Sequence, residues 1–334
     1  MMTFNPFSGL SDQVRGALVA TATAVGPAAT TSRKRPKLSG MRRREAVWCY
    51  VFMTPAVLGL LLFAIGPMIA SLYLSFTSYD MLSSPEFIGA KNYTKLVVDP
   101  LFQKSLSVTL VYALITVPGT MIAGLIAAIL LNTKIPTIGF FRSAYYLPSV
   151  IGGVAVARVW QMLYNNDHGL FNIILSWFGI DGPGWLTEER WALPSLMFMG
   201  IWAFGATMLI YLAGLQGIPK DLYEAAEVDG ASKLRQHFYI TIPMLSNVTF
   251  FNLVIGIIGA LQVFAEPFVL TNGTGNPNNA TLLLPLYLYR VAFTYLEMGY
   301  ASAIAWVVFA ITLVLTALVF RSLPMWVHTE AGED

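Results

Sequence analysis

The chain has 334 residues and a net charge of +2, with 56% hydrophobic residues, only 11% charged ones and a mean hydropathy of +0.63. Soluble domains carry about 25% charged residues, so this composition excludes a soluble globular protein and puts most of the chain in a bilayer. The single cysteine, Cys49, excludes an intrachain disulfide framework.

Residues 1–44 are small, polar and basic and are expected to lack regular structure for the most part. Their cluster "RKRPKLSGMRRR" lies against the first apolar run and reads as a topology anchor on anionic lipid. It has no interleaved aromatics, which argues against nucleic acid as a partner. A crossing helix needs roughly 20 apolar residues. Runs free of Asp, Glu, Lys and Arg cover 46–79, 105–133, 191–219, 238–265 and 298–320. A sixth span needs 143–164, which carries Arg158 in its outer half. A long arginine there either snorkels to the interface or pairs inside the bundle.

The expected architecture is therefore an all-α integral membrane protein with six transmembrane helices at about 46–77, 105–133, 143–164, 191–217, 244–266 and 298–320. A short tail, 326–334, follows. The stretch "TLLLPLYLY" (281–289) is too short to cross and is expected to turn back toward the membrane from the loop before it. With the N-terminus inside, 14 of the 20 Lys and Arg fall in inside segments and 5 in outside loops. By the positive-inside rule both termini are cytoplasmic, and so is the loop between spans four and five.

That loop, 219–243, contains "YEAAEVDGAS". Pro219 suits a helix start. Residues 220–229 read as a helix with Asp221, Glu224 and Glu227 toward its positive end. Gly230 can take the left-handed conformation that stops it, and Ser232 can cap a second short helix. Ala225 and Ala226 leave a low surface that another backbone can approach closely. By spacing alone, a docking peg and a plain linker between spans stand about even.

The pattern "EAAEVDGASKLRQHFYITIP" resembles the EAA loop of binding-protein-dependent ABC importer permeases, with Glu224, Ala225, Ala226, Gly230 and Pro243 on the motif and Asp229 in its Asp-Gly pair. "FIGAKNY", "FFRSAYYLPSV", "NNDHGLFN", "IYLAGLQGIP" and "LYLYRVAFTYLEMGYASAIAW" are similar to the carbohydrate (UgpA/MalF-like) branch, and the likeness covers about 45–325. The extra N-terminal spans and the large periplasmic insertion of the maltose permease are absent, which speaks against maltose. The resemblance implies the six-helix type I importer permease fold in a bacterial or archaeal cytoplasmic membrane. It implies a second related permease, two cytoplasmic ATPase subunits that bind ATP and Mg, and an extracytoplasmic sugar-binding protein. Carried over by position, Glu224 pairs with a basic residue of the ATPase, Ala225 and Ala226 give the close approach, and Gly230 gives the turn.

For the pathway, Asn252, Gly256, Gly259, Gln262 and Glu266 fall on one arc of span five at helical spacing. Thr109, Tyr112, Thr116, Thr120 and Ala123 form a similar stripe in span two. Interhelical packing explains each of these residues, taken alone, better than a substrate contact does, and more so in span two than in span five. Aromatics able to stack on a sugar ring are Tyr112, Tyr146, Trp160, Trp202 and Phe264. The three histidines have no metal spacing, and no phosphate-cradling loop exists, so neither catalysis nor a cofactor is expected in this chain. A permease for glycerol 3-phosphate is the alternative; it calls for basic pathway residues, and Arg158 is the one mid-span candidate. An ion-coupled carrier would need internal carboxylates, which the spans lack, Glu266 lying at an end.

Overall fold

The computed structural model describes residues 40–133 and 135–326. The expected irregular segment up to residue 39, Lys134 and the tail from 327 lie outside the described residues. Two units divide between Ala64 and Ile65. In the first, a helix runs Gly40–Leu60, so residues 40–44, expected to be irregular, already belong to it. Its apolar side chains, Phe52 and Leu58 among them, are exposed, as a lipid-facing helix requires.

Five helical stretches among the described residues are long and apolar enough to cross a membrane: Arg43–Leu74, Pro100–Leu131, Glu189–Gly217, Ser246–Leu270 and Met298–Trp326. Here they are the first, second, fourth, fifth and sixth spans. The expected third span, 143–164, is divided into two helices, Ile138–Val150 and Gly153–Leu163. Ile151 and Gly152 between them are extended. The sequence reason is local: Pro148 removes a donor from the last turn, and the Gly152–Gly153 pair has the weakest helix preference of ordinary residues. Arg158 bonds within its own helix, donating from Nη1 to Gln161 Oε1 at 2.7 Å.

Two further spans are also interrupted. The fourth breaks at Ala203–Phe204 between Glu189–Trp202 and Gly205–Gly217. Ser149 of helix Ile138–Val150 caps that break: its Oγ accepts from Ala206 N at 3.0 Å and donates to Ala203 O at 3.4 Å. The fifth breaks at 262–264 between Ser246–Leu261 and Ala265–Leu270, with Pro267 in the first turn of the second piece. There its missing N–H costs nothing.

Three cores hold the second unit. Near the hairpin between spans four and five, Ala128, Leu131, Met208, Tyr211, Leu212, Leu215 and Leu245 pack together. The middle core joins Tyr112, Val117, Trp160, Leu196, Ala260 and Val269. At the far end, Leu96, Phe102, Leu284, Leu286, Tyr287, Tyr300 and Ile304 form the third. Close approach needs small residues: a Cβ on Gly124 would lie 3.1 Å from Met208 N, and one on Gly256 2.9 Å from Val117 Cγ1.

The short stretch after the third outside loop does fold back. Leu284–Tyr289 is a six-residue helix with Leu284, Leu286 and Tyr287 buried. Its first N–H groups have no partner within the helix, and Thr109 supplies one, accepting from Leu284 N at 2.8 Å while donating to Ser105 O at 2.7 Å. Asp99, which caps the second span through Leu101 N, also accepts from the hydroxyls of Tyr287 and Tyr300. Burial raises its carboxyl, but these hydrogen bonds outweigh that and hold it below the usual carboxylate value.

Candidate functional site

Two features are candidates: an exposed hairpin, and a cavity beside the middle core whose largely apolar wall carries several polar side chains.

The hairpin begins at Pro219, which is the cap residue of helix Lys220–Val228 rather than its first turn. Gly230 has φ +75. Gly230 N donates to Glu227 O at 3.0 Å and Ala231 N to Ala226 O at 2.9 Å. This pair of bonds is the Schellman arrangement, in which a left-handed residue just past the helix satisfies its last carbonyls. Ser232 then caps the second helix, Lys233–Gln236, accepting from Arg235 N at 3.4 Å. Glu227 pairs with Lys233, and the hydrogen bond from that ammonium, with its charge, holds the Glu227 carboxyl below the usual value.

Two faces of the hairpin differ. Glu224, Ala225, Asp229 and Gly230 are exposed and Ala226 half-buried. The apolar side chains of Leu222, Val228, Leu234, Phe238 and Tyr239 are also exposed there. On the other side Tyr223 packs against the core near the hairpin. Its hydroxyl is 3.0 Å from the Oγ1 of buried Thr241, which lies 3.2 Å from His237 Nδ1. The hairpin is thus rooted in the ends of the spans while its acidic, alanine-bearing face stays open.

The cavity, about 180 Å³, is lined by Tyr112, Thr116 and Thr120 of span two, Thr207 of span four, and Asn252, Gly256 and Gly259 of span five, with apolar neighbours between them. Asn252 is 4% exposed and Thr116 7%. Their Nδ2 and Oγ1 atoms are buried with no hydrogen bond of good geometry, although the Tyr112 hydroxyl faces Thr116 and the Tyr211 phenol faces Asn252. An unmet buried polar group costs about 1–3 kcal/mol, so both atoms call for water or a polar solute in the cavity. The Tyr211 phenol faces the side chains of Thr249 and Asn252 from beside it.

The stripes expected on spans two and five therefore meet, but not over their full length. The span-five arc assumed a continuous helix; the break at 262–264 turns Gln262 and Glu266 off it. Gln262 instead borders a separate apolar groove with Phe264, Leu288, Tyr289 and Phe293. Glu266 lies against the start of helix Gly153–Leu163, where a Cβ on Gly153 would sit 2.7 Å from its Oε1. Trp202, 41% exposed, ends the first half of span four and packs edge-on to Trp160 with ring centroids 5.5 Å apart, away from the cavity. Thr109, at the outer end of the span-two stripe, is taken up by the short helix it caps. Thr207 was missed by sequence reasoning; a hydroxyl in the apolar run "GATMLIYLAGLQG" was the available signal. Among the described residues no group of His, Cys, Asp and Glu could hold a metal ion.

A family model described as "binding-protein-dependent transport system inner membrane component" matches residues 138–324. The probable ABC transporter permease protein YesP of Bacillus subtilis is 41% identical over 301 residues, which cover 89% of this chain and 97% of that one. The lactose transport system permease protein LacF of Rhizobium radiobacter is 36% identical over 298 residues, covering 87% and 97%. Among solved structures, a chain of a bacterial ABC transporter that imports the acidic polysaccharide alginate superposes with a TM-score of 0.74 at 24% identity, over 83% of this chain and 95% of its own. That likeness establishes a shared helical fold.

Proposed function

The chain belongs to the inner-membrane components of binding-protein-dependent transport systems, and we propose that within such a system it is a permease subunit of an ATP-driven sugar importer. It is a multi-pass protein of the cytoplasmic membrane. The observation that carries the proposal is the hairpin: its face with Glu224, Ala225, Asp229 and Gly230 is open, while Tyr223 roots it in the span core. Val228 and Leu234 are exposed on the hairpin as well, apolar surface that a docked partner would cover.

In this reading the hairpin is cytoplasmic and seats on an ATPase subunit, which binds ATP and Mg. Glu224 pairs with a basic residue of that subunit, and Ala225 and Ala226 permit close backbone approach. Movement of the ATPase is passed through Tyr223 and Thr241 to spans two, four and five, which enclose the polar cavity. The cavity then serves as this subunit's part of the pathway, with Tyr112, Thr116 and Asn252 offering hydroxyl and amide groups to a solute. A second permease supplies the other half, and a second ATPase and an extracytoplasmic sugar-binding protein complete the system. Lactose transport by one relative supports sugar as the substrate class. Gln262, in the neighbouring groove, and Trp202, against Trp160, stay candidates for contact with solute outside the cavity.

The test is purification of the tagged chain from native membranes in mild detergent, wild type beside Glu224→Arg, with partners identified by mass spectrometry. An ATPase and a second permease with wild type, and loss of the ATPase alone in the variant, are expected. Retention of the ATPase by Glu224→Arg at wild-type yield would remove the coupling role from this face.

A further inference from the structure

We propose that an aromatic pocket between spans three and four seats one acyl chain of a membrane phospholipid, with the lipid phosphate at Arg190. This inference stands apart from the pathway reading above. The pocket, about 350 Å³, is lined by Tyr164, Phe171, Trp185, Trp191, Pro194 and Phe198, together with buried Ser195. Its rings form one cluster, with centroids 5.3 Å apart for Tyr164 and Phe171, 6.0 Å for Phe171 and Trp185, and 5.4 Å for Trp185 and Trp191. Trp191 to Phe198 lie within about the first three turns of span four, at its end away from the hairpin. That is the depth at which Trp and Tyr gather in membrane proteins. The hydrogen-bonding groups of the lining are mostly spent on the protein itself. Tyr164 Oη donates to Ser195 O at 2.9 Å, Ser195 Oγ to Trp185 O at 3.0 Å and Trp185 Nε1 to Asn172 Oδ1 at 2.6 Å. Of the lining side chains, Trp191 alone keeps a donor, Nε1, with no partner among the described residues. A sugar here would leave most of its hydroxyls unpaired against carbon, whereas a hydrocarbon chain has no polar group to satisfy.

The open side of the pocket sets the direction in which the lipid lies. Arg190, Pro194 and Phe198 recur every four residues and are all exposed. They form one stripe down the helix, about 12 Å from first to last at 1.5 Å per residue. Pro194 and Phe198 belong to the pocket wall, and Phe198 leaves 55% of its surface open. Arg190 stands one turn nearer the end of the span. The charges around it leave it free. Glu188 accepts from Gly184 N at 2.8 Å. Glu189 accepts from Asn278 Nδ2 at 3.0 Å and lies 4.0 Å from Lys104. Arg158 is spent on Gln161, which itself donates to Val269 O at 3.5 Å, on the second piece of span five. Arg190 has no ion pair among the described residues. Its planar fork of N–H groups matches the oxygens of a phosphate, and Trp191 Nε1 adds a donor in the same turn. The needs of a tail and of a headgroup thus fall on one helix, carbon along the pocket and a cation at its end.

The test uses the full chain in its native complex, reconstituted in nanodiscs that contain a phosphatidylglycerol with a diazirine midway along one acyl chain. The complex is returned to mild detergent and washed before irradiation, so that only retained lipid labels, and the labelled peptides are mapped by mass. Label on peptides covering 164–171 and 185–198 is expected on the order of tenfold above that on the exposed Phe52 and Leu58 of the first span. Phe198→Ser, which takes carbon from the wall, should lower it about tenfold, and Phe198→Leu, which keeps a carbon surface, should retain it. Arg190→Gln should lower the phospholipid label about fivefold and leave unchanged the label from a diacylglycerol with the same diazirine, which has no phosphate. Label in the pocket no higher than on the first span would overturn the site and leave a side chain of a partner subunit as its occupant. Equal loss in Phe198→Ser and Phe198→Leu would overturn the acyl chain as occupant. Wild-type labelling of Arg190→Gln by the phospholipid, or an equal fall for both lipids, would overturn the phosphate contact.

Discussion

Replacing Gly230 by alanine isolates the backbone contribution to the hairpin. At φ +75 the residue sits in the left-handed region, and a Cβ added there meets nothing within 4 Å. Steric clash with neighbours is therefore absent and the cost is conformational alone, about 1–2 kcal/mol for a residue carrying a Cβ. The energy falls on a local motif, because the bonds it closes are Gly230 N to Glu227 O and Ala231 N to Ala226 O. A local loss of that size raises the open population about 5- to 30-fold. Amide hydrogen exchange of peptides spanning 219–243, in the detergent-purified complex, reads this directly. Gly230→Ala should exchange faster by that factor at residues 230 and 231, and Gly230→Asn by less, since asparagine tolerates the left-handed region better. Gly230→Pro removes the donor to Glu227 O and fixes φ near −65°, so the hairpin should open and the ATPase fail to co-purify although the chain still inserts. Wild-type exchange in Gly230→Ala would refute the argument that this glycine is held by its dihedral angle.

Two further predictions concern the far end of the molecule. Thr109→Val leaves Leu284 N without its acceptor in a fully buried position, a loss of about 1–3 kcal/mol; the thermal midpoint of the purified chain should fall, and Thr109→Ser should restore it. Asp99→Asn keeps the cap on Leu101 N, for which Asn serves as well as Asp, but loses an acceptor for Tyr287 and Tyr300. Because folding lowers the Asp99 carboxyl, its contribution is present above the unfolded value of about 3.9 and is lost as pH falls through the lower folded value. Thermal midpoints measured from neutral pH down to about pH 3 should therefore converge between wild type and Asp99→Asn at the acid end; a constant gap would rule out the linkage.

Composition and charge-free runs placed five of the crossing helices, because a bilayer demands long apolar stretches and little else imitates them. The turn at Gly230 and the cap at Ser232 were equally legible: both are set by residues within a few positions of each other, through backbone preference and short-range hydrogen bonds. The sequence also brought Tyr112, Thr116 and Asn252 into view, since helical spacing puts polar residues of one span on one arc.

The breaks were decided elsewhere. A proline or a glycine pair marks where a helix can be interrupted, but whether it is depends on a partner that satisfies the freed groups, as Ser149 does for Ala206 N and Ala203 O from a different helix. Those breaks sent Gln262 out of the arc that Asn252 occupies and carried Glu266 to Gly153, a residue 113 positions earlier in the chain. Local pattern determined which residues of this protein could be polar inside a membrane. Only the packing of one span against another, which no periodicity within a single helix records, determined which of them share a cavity.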